Sequence, residues 1–222
     1  MADLTVVIPV LNDFDALAAC LAAISPQPGV ELIVVDGGQD HRLDALMSPR
    51  TDARLLRGAS GRGAQMNLGA RASSSRWLLF LHADCAPPSG WLRAITGSEP
   101  HIVGGWFRLG LDDGAWQARV MERVVGWRVG VFGLAYGDQG IFVRRDVFER
   151  LGGFREWPLM EDVDMVRRLR HVGHVASLPL TVRSSARRWR HDGWLRRSVR
   201  NVCLLLLYFL GVSPARLARW YE

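Results

Sequence analysis

Lysine is absent from this chain: all 28 basic residues are arginine. A GC-rich genome produces such a composition by itself, so residue type alone marks no arginine as a phosphate ligand. Cysteine is scarce. Cys20, Cys85 and Cys203 are odd in number and have neither metal-ligand nor disulfide spacing, which points to a reducing compartment. The opening Met1-Ala2-Asp3-Leu4 lacks the basic and apolar regions of a signal peptide. The longest apolar run, Val202 to Val212, is too short to span a bilayer. The expected location is therefore cytoplasmic, with peripheral attachment at the inner face of the membrane as its variant. A broad basic face is lacking too. Seven arginines and one acid, Asp192, stand between Arg183 and Arg200, and this segment carries the whole formal charge of +6. That distribution argues against nucleic acid and for a local anionic partner or a membrane surface.

What is present is the pattern of an α/β protein. With 222 residues the chain has room for one large domain, expected over residues 1–190, and a C-terminal helical extension over 191–222. Trp77-Leu78-Leu79-Phe80-Leu81 reads as a strand buried on both faces of a parallel sheet, stopped by Pro87-Pro88. If the chain stays extended beyond it, the period of two turns His82 and Asp84 to one side. That is the carboxyl end of a strand, where open α/β sheets bind ligands. Leu4–Val10 and Glu31–Val35 are two further strands. Between them a helix carries Leu17, Cys20, Leu21 and Ile24, with Asn12-Asp13 as its caps. A short strand over 53–56 leads to Gly58, Gly61, Arg62 and Gly63 and a helix over 64–72. Later come a strand over 102–111, a helix through Trp116, Val120, Val124 and Trp127, a strand over 137–143 and a helix over 145–151.

Three places carry candidate chemistry, each with a plainer alternative. Asp36, ending a strand, suits hydrogen bonds from a base N–H or from ribose hydroxyls, and serves equally as a turn-former before Gly37-Gly38. The glycines around Arg62 open a helix whose backbone N–H groups can meet phosphate oxygens, although the stretch is neither a P-loop nor a dinucleotide fingerprint. Met160, Val163, Val166 and Leu169 form an apolar stripe that places Glu161 and Asp162 in the first turn of a helix. There they act as caps or as a general base, and spacing does not choose.

Taken together, these pieces resemble the family 2 glycosyltransferases from about Thr5 to Trp189. Val7-Ile8-Pro9-Val10-Leu11-Asn12-Asp13 is similar to the family's opening strand, and Val34-Val35-Asp36-Gly37-Gly38 to its nucleoside-binding turn. Gly61-Arg62 through Asn67 and Gly69 resembles the segment contacting the nucleotide diphosphate, and Leu81-His82-Ala83-Asp84 stands at the metal motif. Met160-Glu161-Asp162 resembles the motif bearing the catalytic base, and Arg187-Arg188-Trp189 more loosely an acceptor-side element. G-R-x-A-Q-M-N, L-H-A-D and G-D-Q-x-I-F look like a small bacterial branch. The resemblance implies a GT-A fold, a mostly parallel sheet flanked by helices, and an inverting sugar transfer from a nucleotide-sugar donor. It implies Asp162 as base with Glu161 beside it, and Pro9, Asn12, Asp13, Asp36, Arg62, Asn67, His82 and Ala83 toward the donor. Asp138, Gln139, Arg187 and Trp189 fall on the acceptor side. His82 stands where the family has its first acid, so Asp84 inherits a divalent cation, Mn²⁺ or Mg²⁺.

Two other functions compete. A sugar-phosphate nucleotidyltransferase would place a long Gly-rich loop after the first strand, where Pro9 to Asp13 stand instead. A noncatalytic nucleotide-sugar-binding protein would keep the fold without the reaction. In the tail, Leu195, Val199, Val202, Leu206 and Phe209 form an apolar helical face beside Arg196, Arg197 and Arg200. Such a helix lies in an anionic membrane interface, or packs on the sheet or on a second subunit as in a homodimer.

Overall fold

The computed structural model describes residues 2–221. Its first half alternates strand and helix: β1 (Leu4–Val10), α1 (Phe14–Ala23), β2 (Val30–Asp36), α2 (Arg42–Met47), β3 (Ala53–Arg57), α3 (Arg62–Arg71) and β4 (Trp77–Phe80). β1 is buried throughout because it is central, paired in parallel with β2 on one side and β4 on the other. Its alternate side chains sort between two layers. Val6 and Ile8 pack with Leu17 and Leu21 of α1 and Leu43 of α2, whereas Val7 packs with Met66 and Ala70 of α3. α3 approaches so closely that a Cβ at Gly69 would collide with Val7 and Val35. Strand order here is β3-β2-β1-β4, so the chain reverses direction across the sheet between β1 and β4. The carboxyl ends of those two strands flank the crevice where such sheets bind ligands.

The second half is less regular. It runs β5 (Cys85–Ala86), α4 (Trp91–Thr96), β6 (Ile102–Leu111), α5 (Trp116–Phe132), a 3₁₀ turn (Gly137–Gln139), β7 (Ile141–Arg144), α6 (Arg145–Arg150), α7 (Glu161–Val172) and β8 (His174–Ser184). Helices α8 (Arg187–Asp192), α9 (Trp194–Phe209) and α10 (Pro214–Tyr221) close the chain. The sheet continues β4-β7-β6-β8-β5. β7 is antiparallel to both its neighbours and β5 is antiparallel to β8, so the parallel order belongs mainly to the first half. The sequence reading missed α2 and β8. β8 is half-exposed and jumps register near Pro179, which has no N–H for the ladder.

Two helices turn their apolar stripes to solvent. On α5 the apolar residues Trp116, Val120, Val124 and Trp127 point outward, with Trp116 71% and Trp127 63% exposed. Ala118 and Val125 face the interior instead, where small side chains let the helix lie close to Leu109 and Leu111 of β6. On α9 the predicted apolar face is likewise outward, Leu195 being 77% exposed, so that face does not pack on the sheet. Leu204 and, from α10, Leu217 pack inward with Leu134, Leu159, Met160 and Val163. Residues 191–221 are thus bound to the body of the protein. No described helix is long and apolar enough to cross a membrane.

Candidate active site

The cleft begins where β4 stops. Leu81 still donates to the Val7 carbonyl, but Cys85 N–H then bonds the His82 carbonyl at 3.0 Å, so His82 to Cys85 form a tight turn and not a continued strand. The turn nevertheless turns His82 and Asp84 into one cleft of about 130 Å³, with Arg62, Asp138, Asp162 and Arg188. Gly137 is required there: a Cβ would overlap the His82 imidazole. Burial, helped by the charge of Arg62, lowers the His82 pKa to about 4, so the ring is neutral near pH 7.

The two acids of α7 have separate environments. Met160, with φ 67°, sits in the left-handed region and delivers the chain into the helix. Asp162 faces the cleft, its Oδ2 accepting the Gly137 N–H and its Oδ1 the Val163 N–H, both at 2.7 Å. Glu161 is fully buried behind it, with Oε1 2.8 Å from Arg62 Nε, though neither oxygen has an aligned hydrogen-bond donor. Burial raises the Glu161 pKa, and Arg62 opposes that rise. Asp138 also lines the cleft; its buried Oδ1 has no partner, and burial pushes its pKa up to about 6.

At the end of β2, Asp36 is fully buried and divides its oxygens. Oδ1 accepts the Gly38 N–H at 2.8 Å, the turn-forming role, while Oδ2 has no hydrogen-bond partner. Asn12 stands close by, its Oδ1 against Gly38 and its φ at 51°. Pro9 lies within β1 opposite Val35. Asp13 does not cap α1; its carboxylate pairs with Arg187. Arg187 therefore borders a neighbouring cavity of about 410 Å³, shared with Asp15, Cys20 and Asp84, and the adjacent Arg188 enters the cleft with Trp189.

Several expected site residues are braces. Asn67 Nδ2 donates to the Phe154 carbonyl at 2.9 Å and its Oδ1 accepts the Phe154 N–H at 2.8 Å, so its amide is committed to the backbone away from the cleft. Gln139 donates to the Phe107 carbonyl at 3.0 Å and is buried beneath the 3₁₀ turn that presents Asp138. Ala83 is buried inside the His82 turn. Gln65, given no role of its own by the sequence, donates to the carbonyls of Val10 and Val35 at 2.8 Å each and ties the ends of β1 and β2 together. The sequence reading also missed Arg197, Asn201 and Tyr221, which α9 and α10 bring to the cleft wall. Their only advance sign was the local arginine excess.

No group of three His, Cys, Asp or Glu among the described residues stands close enough to hold a metal alone. The cleft fits a different kind of site. Mg²⁺ and Mn²⁺ are commonly held by one or two carboxylates together with substrate phosphates, which Asp84 beside Arg62 and Arg188 would allow.

A parallel half-sheet with a charged cleft at its switch point, joined to a mixed half, is the architecture of the nucleotide-diphospho-sugar transferase, or GT-A, class. The family model for Glycosyl transferase family 2 matches residues 5–119, more than half of the chain, and the protein belongs to that family. Glycosyltransferase AglE of Haloferax volcanii is 28% identical over 168 residues, 68% of this chain and 55% of AglE. A pre-mycofactocin glycosyltransferase of Mycobacterium tuberculosis is 31% identical over 99 residues, 43% of this chain and 20% of that protein. The matched region thus spans about half, or less, of these relatives. Among solved structures, the mannosyltransferase PcManGT of Pyrobaculum calidifontis, in complex with GDP-Man and Mn²⁺, aligns with TM-score 0.63 and 18% identity. That alignment covers 82% of this chain and 56% of PcManGT. S. aureus TarS 1-349 in complex with UDP-GlcNAc aligns with TM-score 0.64 and 14% identity, covering 83% and 58%.

Proposed function

We propose that the protein is an inverting glycosyltransferase that moves a sugar from a nucleotide diphosphate to an acceptor hydroxyl, with Asp162 as general base. The observation that carries this reading is the division of labour at the start of α7. Asp162 faces the cleft with its carboxylate oriented by two backbone N–H groups, while Glu161 is turned away onto Arg62. In the reaction the acceptor oxygen attacks the anomeric carbon and its proton passes to Asp162. The bond from that carbon to the diphosphate oxygen breaks on the opposite face, and the nucleoside diphosphate leaves. Arg62, held by Glu161, and Arg188 face the developing negative charge. A divalent cation at Asp84 would neutralise the leaving diphosphate.

Asp36 Oδ2 supports a nucleoside contact there: it has Arg57 Nε at 4.0 Å but no hydrogen-bond donor, and a buried carboxylate oxygen without a donor is costly unless a ligand supplies one. Asp138 and Trp189 remain as acceptor-side residues. The complexes of PcManGT with GDP-Man and Mn²⁺ and of TarS with UDP-GlcNAc support a nucleotide-sugar donor, and the former a divalent ion. The test is a panel of nucleotide sugars with Mn²⁺ or Mg²⁺, scored for released nucleoside diphosphate. Release of pyrophosphate from a nucleotide and a sugar phosphate would indicate the nucleotidyltransferase, and binding without turnover the noncatalytic protein.

A further inference from the structure

The largest feature left over by the cleft is an apolar surface on its outer side. α5 presents Trp116, Val120, Val124, Trp127 and Val131 to solvent, and α9 presents the five apolar residues of its outward face. The two helices touch, since Ser198 Oγ of α9 lies 3.2 Å from Met121 Sδ of α5. Each face is a helical stripe, so both helices display an apolar side outward, while Ala118 and Val125 of α5 and Leu204 of α9 face inward. Ten large side chains at about half exposure offer on the order of several hundred Å² of apolar surface, the scale of the largest patch on a typical monomer.

Charge selects the occupant. α5, α9 and α10 together hold eight arginines and a single acid, Glu122. Glu122 is directed inward, accepting the Leu111 N–H at 2.7 Å and pairing with Arg119 at 2.8 Å. Asp192, at the end of α8, is consumed by Arg197 and Arg200. Arg123 and Arg196 are exposed beside the stripes with no acidic partner among the described residues. A second copy docked by the same face would set these arginines against each other, and Glu122, the one acid on the three helices, is already held by Arg119 and the Leu111 N–H. Anionic headgroups answer all of them, while tryptophans and aliphatic chains at the rim suit the headgroup–acyl boundary.

We propose that the outer faces of α5 and α9 dock together on an anionic lipid bilayer. The inner side of α9 supplies Arg197, Asn201 and Leu204 to the cleft, so the docked plane lies one helix diameter, about 10 Å, from the cleft wall. The partner class, an anionic membrane surface, is additional to the transfer reaction and independent of it.

The test is flotation of the purified full chain with phosphatidylcholine vesicles, with and without phosphatidylglycerol. The wild type is expected to float with the anionic vesicles only, and to be released by salt. Trp116→Gln with Trp127→Gln, and separately Leu195→Gln with Leu206→Gln, are expected to abolish flotation while far-UV circular dichroism and melting temperature stay unchanged. Arg123→Glu with Arg196→Glu is expected to weaken it about tenfold or more. A wild type that stays in the soluble fraction with anionic vesicles overturns the proposal, as does flotation that both glutamine pairs leave intact. So does a concentration-dependent dimer in sedimentation equilibrium that the glutamine pairs dissolve, because the face would then belong to a second copy.

Discussion

Asn67→Ala separates a brace from a ligand. The family resemblance places Asn67 with the donor, whereas the structure spends both ends of its amide on Phe154. Alanine would remove two hydrogen bonds and leave the Phe154 N–H and carbonyl without their partner in a region where Phe154 is 3% exposed. A hydrogen bond contributes about 1 kcal/mol net, and each buried polar group left unsatisfied costs about 1–3 kcal/mol. The expected loss is therefore about 2–6 kcal/mol, on the order of 5–20 °C in melting temperature for a chain of this size. Calorimetry or urea unfolding measures it, and titration with nucleoside diphosphate below the transition measures binding. The account expects a large stability loss with nucleotide affinity retained in the folded fraction. An unchanged melting temperature with weakened nucleotide affinity would refute the brace and restore the donor contact.

Gly137→Ala puts a methyl group into the space of the His82 imidazole, beside the N–H that orients Asp162, and a displacement there is expected to lower turnover about 10²-fold in initial-rate assays with the fold intact. Glu161→Gln frees Arg62 and is expected to weaken nucleoside diphosphate binding in calorimetric titration; an unchanged affinity would show that Arg62 does not need its buried partner to bind phosphate. For Asp138 the folded pKa, about 6, exceeds the ordinary 3.8, so between those values the native state keeps a proton that the unfolded state releases. Its contribution to stability therefore falls as pH rises through that window, by on the order of 3 kcal/mol. Asp138→Asn should flatten the wild-type stability profile between pH 4 and 6, and parallel profiles would place Asp138 in water.

Most of the first half of the fold was legible because β1, β2 and β4 are buried on both faces and end in polar turns. Continuous apolar runs such as Val6-Val7-Ile8 and Leu32-Ile33-Val34-Val35 admit few other readings. β8 was not, since half-exposed residues and Pro179 remove both the apolar run and the ladder donor. Periodicity found the apolar stripes of α5 and α9 but not their direction. It reports that one face is hydrophobic, and core burial is only the commonest reason. In the site, Asp162 and Asp84 were identifiable from position within ordered motifs, whereas Asn67 and Gln139 fall in similar motifs and turn inward. A polar residue in a motif is chosen for its ligand or for the backbone it holds, and only the hydrogen-bond partners tell these apart. Arg197 and Tyr221 reach the cleft by the folding back of α9 and α10, which no local pattern records.

The transfer proposed for this cleft passes the acceptor proton to Asp162 and releases nucleoside diphosphate. It is tested most directly by comparing Asp162→Asn with wild type under a donor and acceptor that the wild type turns over, measuring donor affinity and the rate of nucleoside diphosphate release. The account predicts unchanged donor affinity and a rate lower by about 10²–10⁴-fold. A near-wild-type rate in Asp162→Asn, with the rate lost in Glu161→Gln at unchanged donor affinity, would contradict it and move the base to Glu161.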